Sequence, residues 1–558
     1  ISKKAFEEEL TKLQTELVRL SDNGKARDKG AAAREYAAGF IKERGLKTGA
    51  TPTAVSEWTI RDDAALAPLV GPKTRLIDLK GKRVVPGFHD AHLHFLGGGQ
   101  QLSRVDLKDA KDEAEFGRRL TEFDRKTPRD RWILGGNWDH DRTFGGALPT
   151  AAIVDKYVKD RPVFISRYDG HMALANTAAL KLAGVGPGTK EVAGGVVYRL
   201  ADGRTPWGIL KDNAMSLVEK LVPEPTEAEI TEAALAALRA LAENGVTSAQ
   251  DMSGSRDLFR VLQRLARDGR LTARLDIHWP GNGRQDFTRL GVEDNFGSAF
   301  LRLGGIKFFV DGSLGSSTAK MFDPFAGSPT NTGVYVTDPD ALYAAIKQAD
   351  RAGLSVSTHA IGDRANAELL DIYERVAREN GPRDRRFTVE HAQHLRPQDY
   401  GRFKQLGVVA SMQPYHVIDD GRWAEGRIGK ARCASSYAFK SLLDAGAVLA
   451  FGSDWPVAPL NVLEGIDAAV TRRTLDGKHP TGWFPEQAIT AEQALRAYTW
   501  GSAYAAHQDA DRGTLRPGKF ADLVVLPRDI LSVEERNSIA ATRVEMTVVG
   551  GKVVFERR

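Results

Sequence analysis

The 558-residue sequence predicts an α/β protein, a (β/α)8 TIM-like barrel with an inserted subdomain and a small β-sandwich domain formed by the segments flanking the barrel. Short β-branched runs alternate with alanine-rich amphipathic stretches, the signature of repeated βα units and a parallel sheet. The chain is longer than the ~250 residues of a typical barrel, which leaves room for additions. At both ends of the alternating region the texture changes to short strands broken by tight-turn glycines.

Nine buried-strand candidates can be read, at 84–93, 163–168, 246–251, 272–278, 303–310, 354–359, 386–391, 408–413 and 447–453, one more than a barrel of this kind holds. The surplus candidate lies in 96–225, a Gly-, Pro- and Trp-rich stretch that reads as an insertion between the first two barrel strands, covering the barrel mouth. Thr226 and Glu229 have capping-box spacing at the start of a helix that Asn244-Gly245 closes. Further helices are expected near 340–352, 364–379, 435–445 and 491–506. The Gly550-Gly551 pair marks a hairpin. The resulting domain plan is a helical extension over 1–55, a small β domain from 56–85 and 513–558, and the barrel over 86–512.

The net charge of +5 is the small difference between 78 basic and 73 acidic residues. Without clustering on one face it carries no nucleic-acid signature. No stretch approaches the ~18 apolar residues of a membrane span. The partners expected are therefore a small-molecule substrate and further copies of the chain, with no nucleic acid and no membrane. A cytoplasmic location is favoured, with a processed periplasmic or secreted form as the alternative. The single cysteine, Cys433, excludes an internal disulfide and a thiolate metal site. Any metal must be held by His, Asp or Lys-derived ligands.

The chemistry-bearing residues fall at strand ends. In Pro86-Gly-Phe-His-Asp-Ala-His92-Leu-His94, residues two apart on a strand share a side, so His92 and His94 can face one ion. Four other strands end in Lys307, His359, His391 and Asp454. Each has a bland reading alone: a histidine bonding a carbonyl, an aspartate capping a helix, a lysine in a buried ion pair. Strand ends of one barrel converge on one site, and that shared placement favours a functional reading. His89, three residues before His92, should point to the opposite side.

These motifs, with Asp169-Gly-His171, Lys307-Phe-Phe-Val-Asp311-Gly-Ser, Ser411-Met-Gln413-Pro and Gly518-Lys-Phe-Ala-Asp522, resemble the amidohydrolase superfamily, in the branch that includes N-substituted formamide deformylases (amidohydrolase family 3). The resemblance runs from about Asp62 to the C-terminus. It implies a hydrolase of non-peptide C–N bonds, with esters, lactones or phosphoesters as the nearest alternative substrates and a non-catalytic binding protein as the alternative class. The resemblance places ligands on barrel strands one, four, five, six and eight, which fits only if 163–168 belongs to the insertion. It further implies a carboxylated Lys307 bridging two divalent cations, zinc being the expected metal. His92, His94 and Asp454 would complete one centre and His359 with His391 the other. Cations about 3.5–4 Å apart lower the pKa of a shared water and supply hydroxide. Asp454 is then the proton carrier. His171 and His416 are candidates for oxyanion stabilisation. Gln413, Asp311 and Trp138 are candidate substrate contacts.

Overall fold

The computed structural model describes residues 71–72, 76–532 and 538–557. The helical extension expected over 1–55 lies outside them. The sequence run 84–93 is two strands, β1 (Arg83–Pro86) and β2 (Phe88–Leu93). They separate at Gly87, where a Cβ would lie 2.2 Å from Thr247 Oγ1. Only glycine admits this close passage from the flanking sheet into the barrel.

The chain then leaves the barrel through β3 (Val105–Asp106), β4 (Ile133–Trp138), β5 (Val163–Arg167), β6 (Met172–Ala175), β7 (Gly195–Arg199) and β8 (Pro206–Asp212). They form a six-stranded sheet of order β3-β4-β5-β6-β8-β7. The surplus strand of the sequence reading is its third member. The sheet has its own apolar clusters, one including Phe116, Leu120 and Ile165 and another including Ala173, Val197 and Leu210.

The chain returns through the helix Glu227–Glu243, whose capping box joins Thr226 and Glu229 as expected. Ile230, Ala234, Leu238 and Leu241 recur at helical spacing and bury one face. Seven more strands follow: β9 (Val246–Asp251), β10 (Arg274–Pro280), β11 (Leu301–Phe309), β12 (Val356–Ala360), β13 (Thr388–His391), β14 (Val409–Met412) and β15 (Val448–Phe451). With β2 they make an eight-stranded parallel sheet, ordered β15-β14-β13-β12-β11-β10-β9-β2. The ends meet where Asp454 N donates to His92 O (2.7 Å) and His94 N to Trp455 O (2.8 Å). Gly452 permits this closure, since a Cβ there would stand 2.4 Å from His92 N. The bonds that close the barrel thus come from residues of the predicted site.

The last strands, β16 (Leu523–Leu526), β17 (Met546–Val549) and β18 (Lys552–Glu556), join β1 in a four-stranded antiparallel sheet of order β1-β16-β17-β18. Both flanks therefore contribute to one sheet, with the hairpin glycines Gly550 and Gly551 at φ 57° and 76°. Asp522 ties this sheet to the barrel. Its carboxylate accepts from Arg274 Nε (2.7 Å) and Nη2 (2.9 Å), and from Gly550 N (2.8 Å). Stranding a buried guanidinium is expensive, so Asp522→Ala should destabilise the chain by about 3–5 kcal/mol, read as a lowered urea midpoint. Among the described residues no helix is long and apolar enough to cross a membrane.

Candidate active site

Five barrel strands deliver side chains to one cavity at their C-terminal ends. His92, His94, Lys307, His359, His391 and Asp454 all line it, joined by His171 from the inserted subdomain and by His416. Ring centroids of His92 and His391 are 4.8 Å apart, those of His391 and His359 4.6 Å, and those of His359 and His171 5.0 Å. Ligand-type atoms of His92, His391 and Asp454 lie within 4.8 Å of one another.

The hydrogen bonds behind these rings fix which nitrogen carries the proton. His92 Nδ1–H donates to Glu390 Oε2 (2.6 Å), and His391 Nδ1–H to Gln413 Oε1 (2.8 Å). His359 Nε2–H donates to Gly312 O (3.0 Å). Each of these three rings therefore keeps a lone pair on its other nitrogen. Burial, with the charge of Lys307 second, holds the His92 pKa well below its usual value. Burial also lowers His359 and His391, each reinforced by a neighbouring histidine. Burial opposes ionisation of Asp454, but the surrounding imidazoles, His92 first, outweigh it and hold the carboxyl well below its ordinary range.

The rings of His92 and His94 face the Asp454 carboxylate. Asp454 Oδ1 stands 3.5 Å from His92 Nε2 and 3.2 Å from His94 Nε2, yet this buried oxygen has no well-formed hydrogen bond. Imidazole nitrogens gathered around an unpartnered carboxylate oxygen fit a divalent cation, and the acceptors behind His92, His359 and His391 are the usual support of metal-ligating histidines. Lys307 is 2% exposed and pairs with no carboxylate within 4.0 Å among the described residues. Burial lowers its pKa to about 8, against the opposing pull of Glu390 and Asp454.

Two backbone positions at the site carry strain that no sequence pattern shows. His391 and Asp454 adopt φ of 75° and 61°, left-handed values that cost non-glycine residues roughly 1–3 kcal/mol each and concentrate at functional sites.

His171 Nδ1–H donates to Asp212 Oδ1 at 2.7 Å. Burial would lower the His171 pKa, but the Asp212 bond and charge outweigh it and raise it. His416 Nε2 lies 3.3 Å from Asp454 Oδ2, and there too burial is outweighed, by the Asp454 bond and charge.

Three expected substrate contacts stand elsewhere. Trp138 is fully buried in the core of the inserted subdomain, its indole N–H donating to Ile165 O, and it does not reach the cavity. Gln413 sits behind His391. Asp311 accepts from Lys320 N, Ile361 N and Gly362 N and so orders the loop after β12. His89, as expected, turns from the cluster; its Nε2 is 4.0 Å from Asp276 Oδ2.

Several groups beyond the expected ligands and proton carriers take part. Tyr168 and Trp423 line the cavity with Arg167, whose buried guanidinium is 2.8 Å from Asp169 and stacks on Tyr168 at 4.3 Å. Asp212 and Glu390 anchor histidines from behind. Arg167 and Tyr168 directly precede the Asp169-Gly-His171 motif, and Glu390 precedes His391, so adjacency to a motif was the available signal. A second acidic cluster, Asp139, His140 and Asp141, also brings ligand-type atoms together. Guanidinium groups already fill it: Arg422 stands 3.1 Å from Asp139, and Arg427 3.4 Å from Asp141.

The model of the amidohydrolase family matches residues 75–555, and the chain belongs to that family. It is 39% identical over 504 residues to the Protein LONG AFTER FAR-RED 3 of Arabidopsis thaliana, covering 88% of this chain and 85% of that protein. An N-substituted formamide deformylase of Arthrobacter pascens is 27% identical, with 87% and 91% covered. The crystal structure of a metal-dependent hydrolase from Pyrococcus horikoshii OT3 superposes with a TM-score of 0.68 at 31% identity, covering 85% of this chain and 91% of that one.

Proposed function

We propose that this family member hydrolyses a non-peptide C–N bond, in a small amide, formamide or cyclic amide. The observation that carries the reading is the unpartnered Asp454 oxygen with the rings of His92 and His94 turned toward it. The relationship to a formamide deformylase supports the bond class. On this reading His92, His94 and Asp454 hold one divalent cation, zinc being the expected metal, and His359 with His391 a second. Lys307, which lines the same cavity, would serve as a further ligand once carboxylated. A cation bound there supplies Lewis acidity, making water more acidic and a carbonyl more electrophilic.

The chain's own groups move the protons. Asp454 takes the proton of the attacking water and returns it to the departing nitrogen. His416, 3.3 Å from its other oxygen, steadies the carboxylate between these states. His171, held by Asp212 with its pKa raised, presents Nε2–H to the oxygen on which negative charge develops. Tyr168 and Trp423 enclose the rest of the substrate and exclude water.

Chelation should abolish hydrolysis, and about two equivalents of zinc per chain should restore it, followed by elemental analysis beside the rate. A screen of formamides, N-acyl amines, cyclic amides, lactones and esters with the reconstituted chain tests the bond class. Turnover confined to the oxygen esters overturns it, as does full activity in metal-free protein.

A further inference from the structure

Glu390 is fully buried, and its bonds span the barrel interior. It lies on β13, whereas His92 lies on β2, and β14 and β15 stand between those strands in the sheet. Glu390 Oε2 accepts from His92 Nδ1 (2.6 Å) and Ser411 Oγ (2.6 Å), and Oε1 from Thr388 Oγ1 (2.5 Å). An ionised carboxylate only accepts, so all of these partners must donate, and the His92 proton is thereby confined to Nδ1.

Charge balance gives this arrangement a direction. Among the described residues no lysine or arginine nitrogen comes within 4.0 Å of Glu390, and His92 is its one ion-pairing partner. Burying this carboxylate is costly, and Lys307, the first charge that offsets the cost, lies beyond contact with it. The compensating positive charge has its natural place on the far side of the ring, where His92 Nε2 faces Asp454.

We propose that Glu390 is a positioning residue: it locks the orientation and Nδ1–H tautomer of His92 so that Nε2 offers its lone pair to the cation held with Asp454. This inference rests on the metal reading above. Carboxylates in this relation to a ligating histidine raise its basicity and remove its freedom to rotate. Ser411 and Thr388 hold the carboxylate in turn, so the support extends across three strands.

The test compares full-length wild type, Glu390→Gln and Ser411→Ala. Each is stripped of metal and titrated with zinc against a chromophoric chelator. Glutamine keeps the shape and one acceptor but loses the charge, and its amide can turn either way. Zinc affinity in Glu390→Gln should fall about 10–100-fold, and in Ser411→Ala by a smaller factor. Selective ¹⁵N-histidine spectra of the metal-free chains should show His92 protonated at Nδ1 in wild type and as mixed tautomers in Glu390→Gln, a change that a merely space-filling role would not produce. Unchanged affinity in Glu390→Gln, or an unchanged tautomer, overturns the proposal. If Glu390→Gln does not fold, Ser411→Ala decides: affinity equal to wild type overturns it. A wild-type chain that takes up no zinc instead overturns the metal reading itself, and the ring-nitrogen spectrum still decides whether Glu390 sets the tautomer.

Discussion

Asp454→Asn should lower kcat by about 10²–10⁴-fold, with a much smaller change in KM. The carboxamide occupies the same space at the end of β15, so the barrel closure through Asp454 N and His92 O (2.7 Å) is kept. It cannot take a proton from water, and its neutral oxygen is a poorer counter-charge for a cation. The neighbouring histidines sharpen the expectation. In the native site the imidazoles hold Asp454 ionised well below the usual carboxylate range despite its burial. Its carboxylate therefore stays charged through the whole neutral pH range, and the acid limb of the rate profile should belong to another group. Steady-state kinetics beside elemental analysis separates proton transfer from metal loss: zinc retained with kcat collapsed assigns the proton role, whereas zinc lost assigns Asp454 mainly to holding it. Near wild-type kcat with full metal would remove Asp454 from the chemistry.

The sequence carried the barrel because its strands have two buried faces and read as apolar runs, and because helices of ordinary length separate them. It carried His92 and His94 because strand geometry repeats every two residues, and placed the other ligand candidates because barrel strands end at one mouth. What it could not carry depends on long-range pairing. The run 84–93 reads as one strand, and only the approach of Thr247 to Gly87 shows why it breaks. Trp138 looks like a pocket aromatic until Ile165 O is seen to take its indole proton. Asp212 carries no motif and Glu390 only the one it shares with His391, and their partners His171 and His92 lie 41 and 298 residues away. The left-handed backbone at His391 and Asp454 likewise leaves no trace in residue type.

Lys307→Ala should remove activity and most of the bound metal together, because the position would lose both the ligand and the group from which the ligand is made. The native environment makes the modification chemically reasonable. Carbon dioxide adds only to a neutral amine, and burial lowers the Lys307 pKa to about 8, far below its ordinary 10.5. In the metal-free chain the reactive neutral fraction therefore rises as pH approaches 8 and levels off above it. At fixed dissolved carbon dioxide, the rate of zinc-dependent reactivation should therefore climb through neutral pH and plateau near pH 8 to 9. An unperturbed lysine would still be gaining reactivity at pH 10. Growth with ¹³C-bicarbonate should place a carbamate carbon signal in wild type and none in Lys307→Ala. Added short-chain carboxylic acids should restore part of the lost activity to Lys307→Ala by placing a carboxylate where a carbamate of Lys307 would stand. Reactivation that ignores carbon dioxide, with no carbamate signal in active wild type, would leave Lys307 an unmodified cation beside Asp454 and exclude it as a bridge between metals.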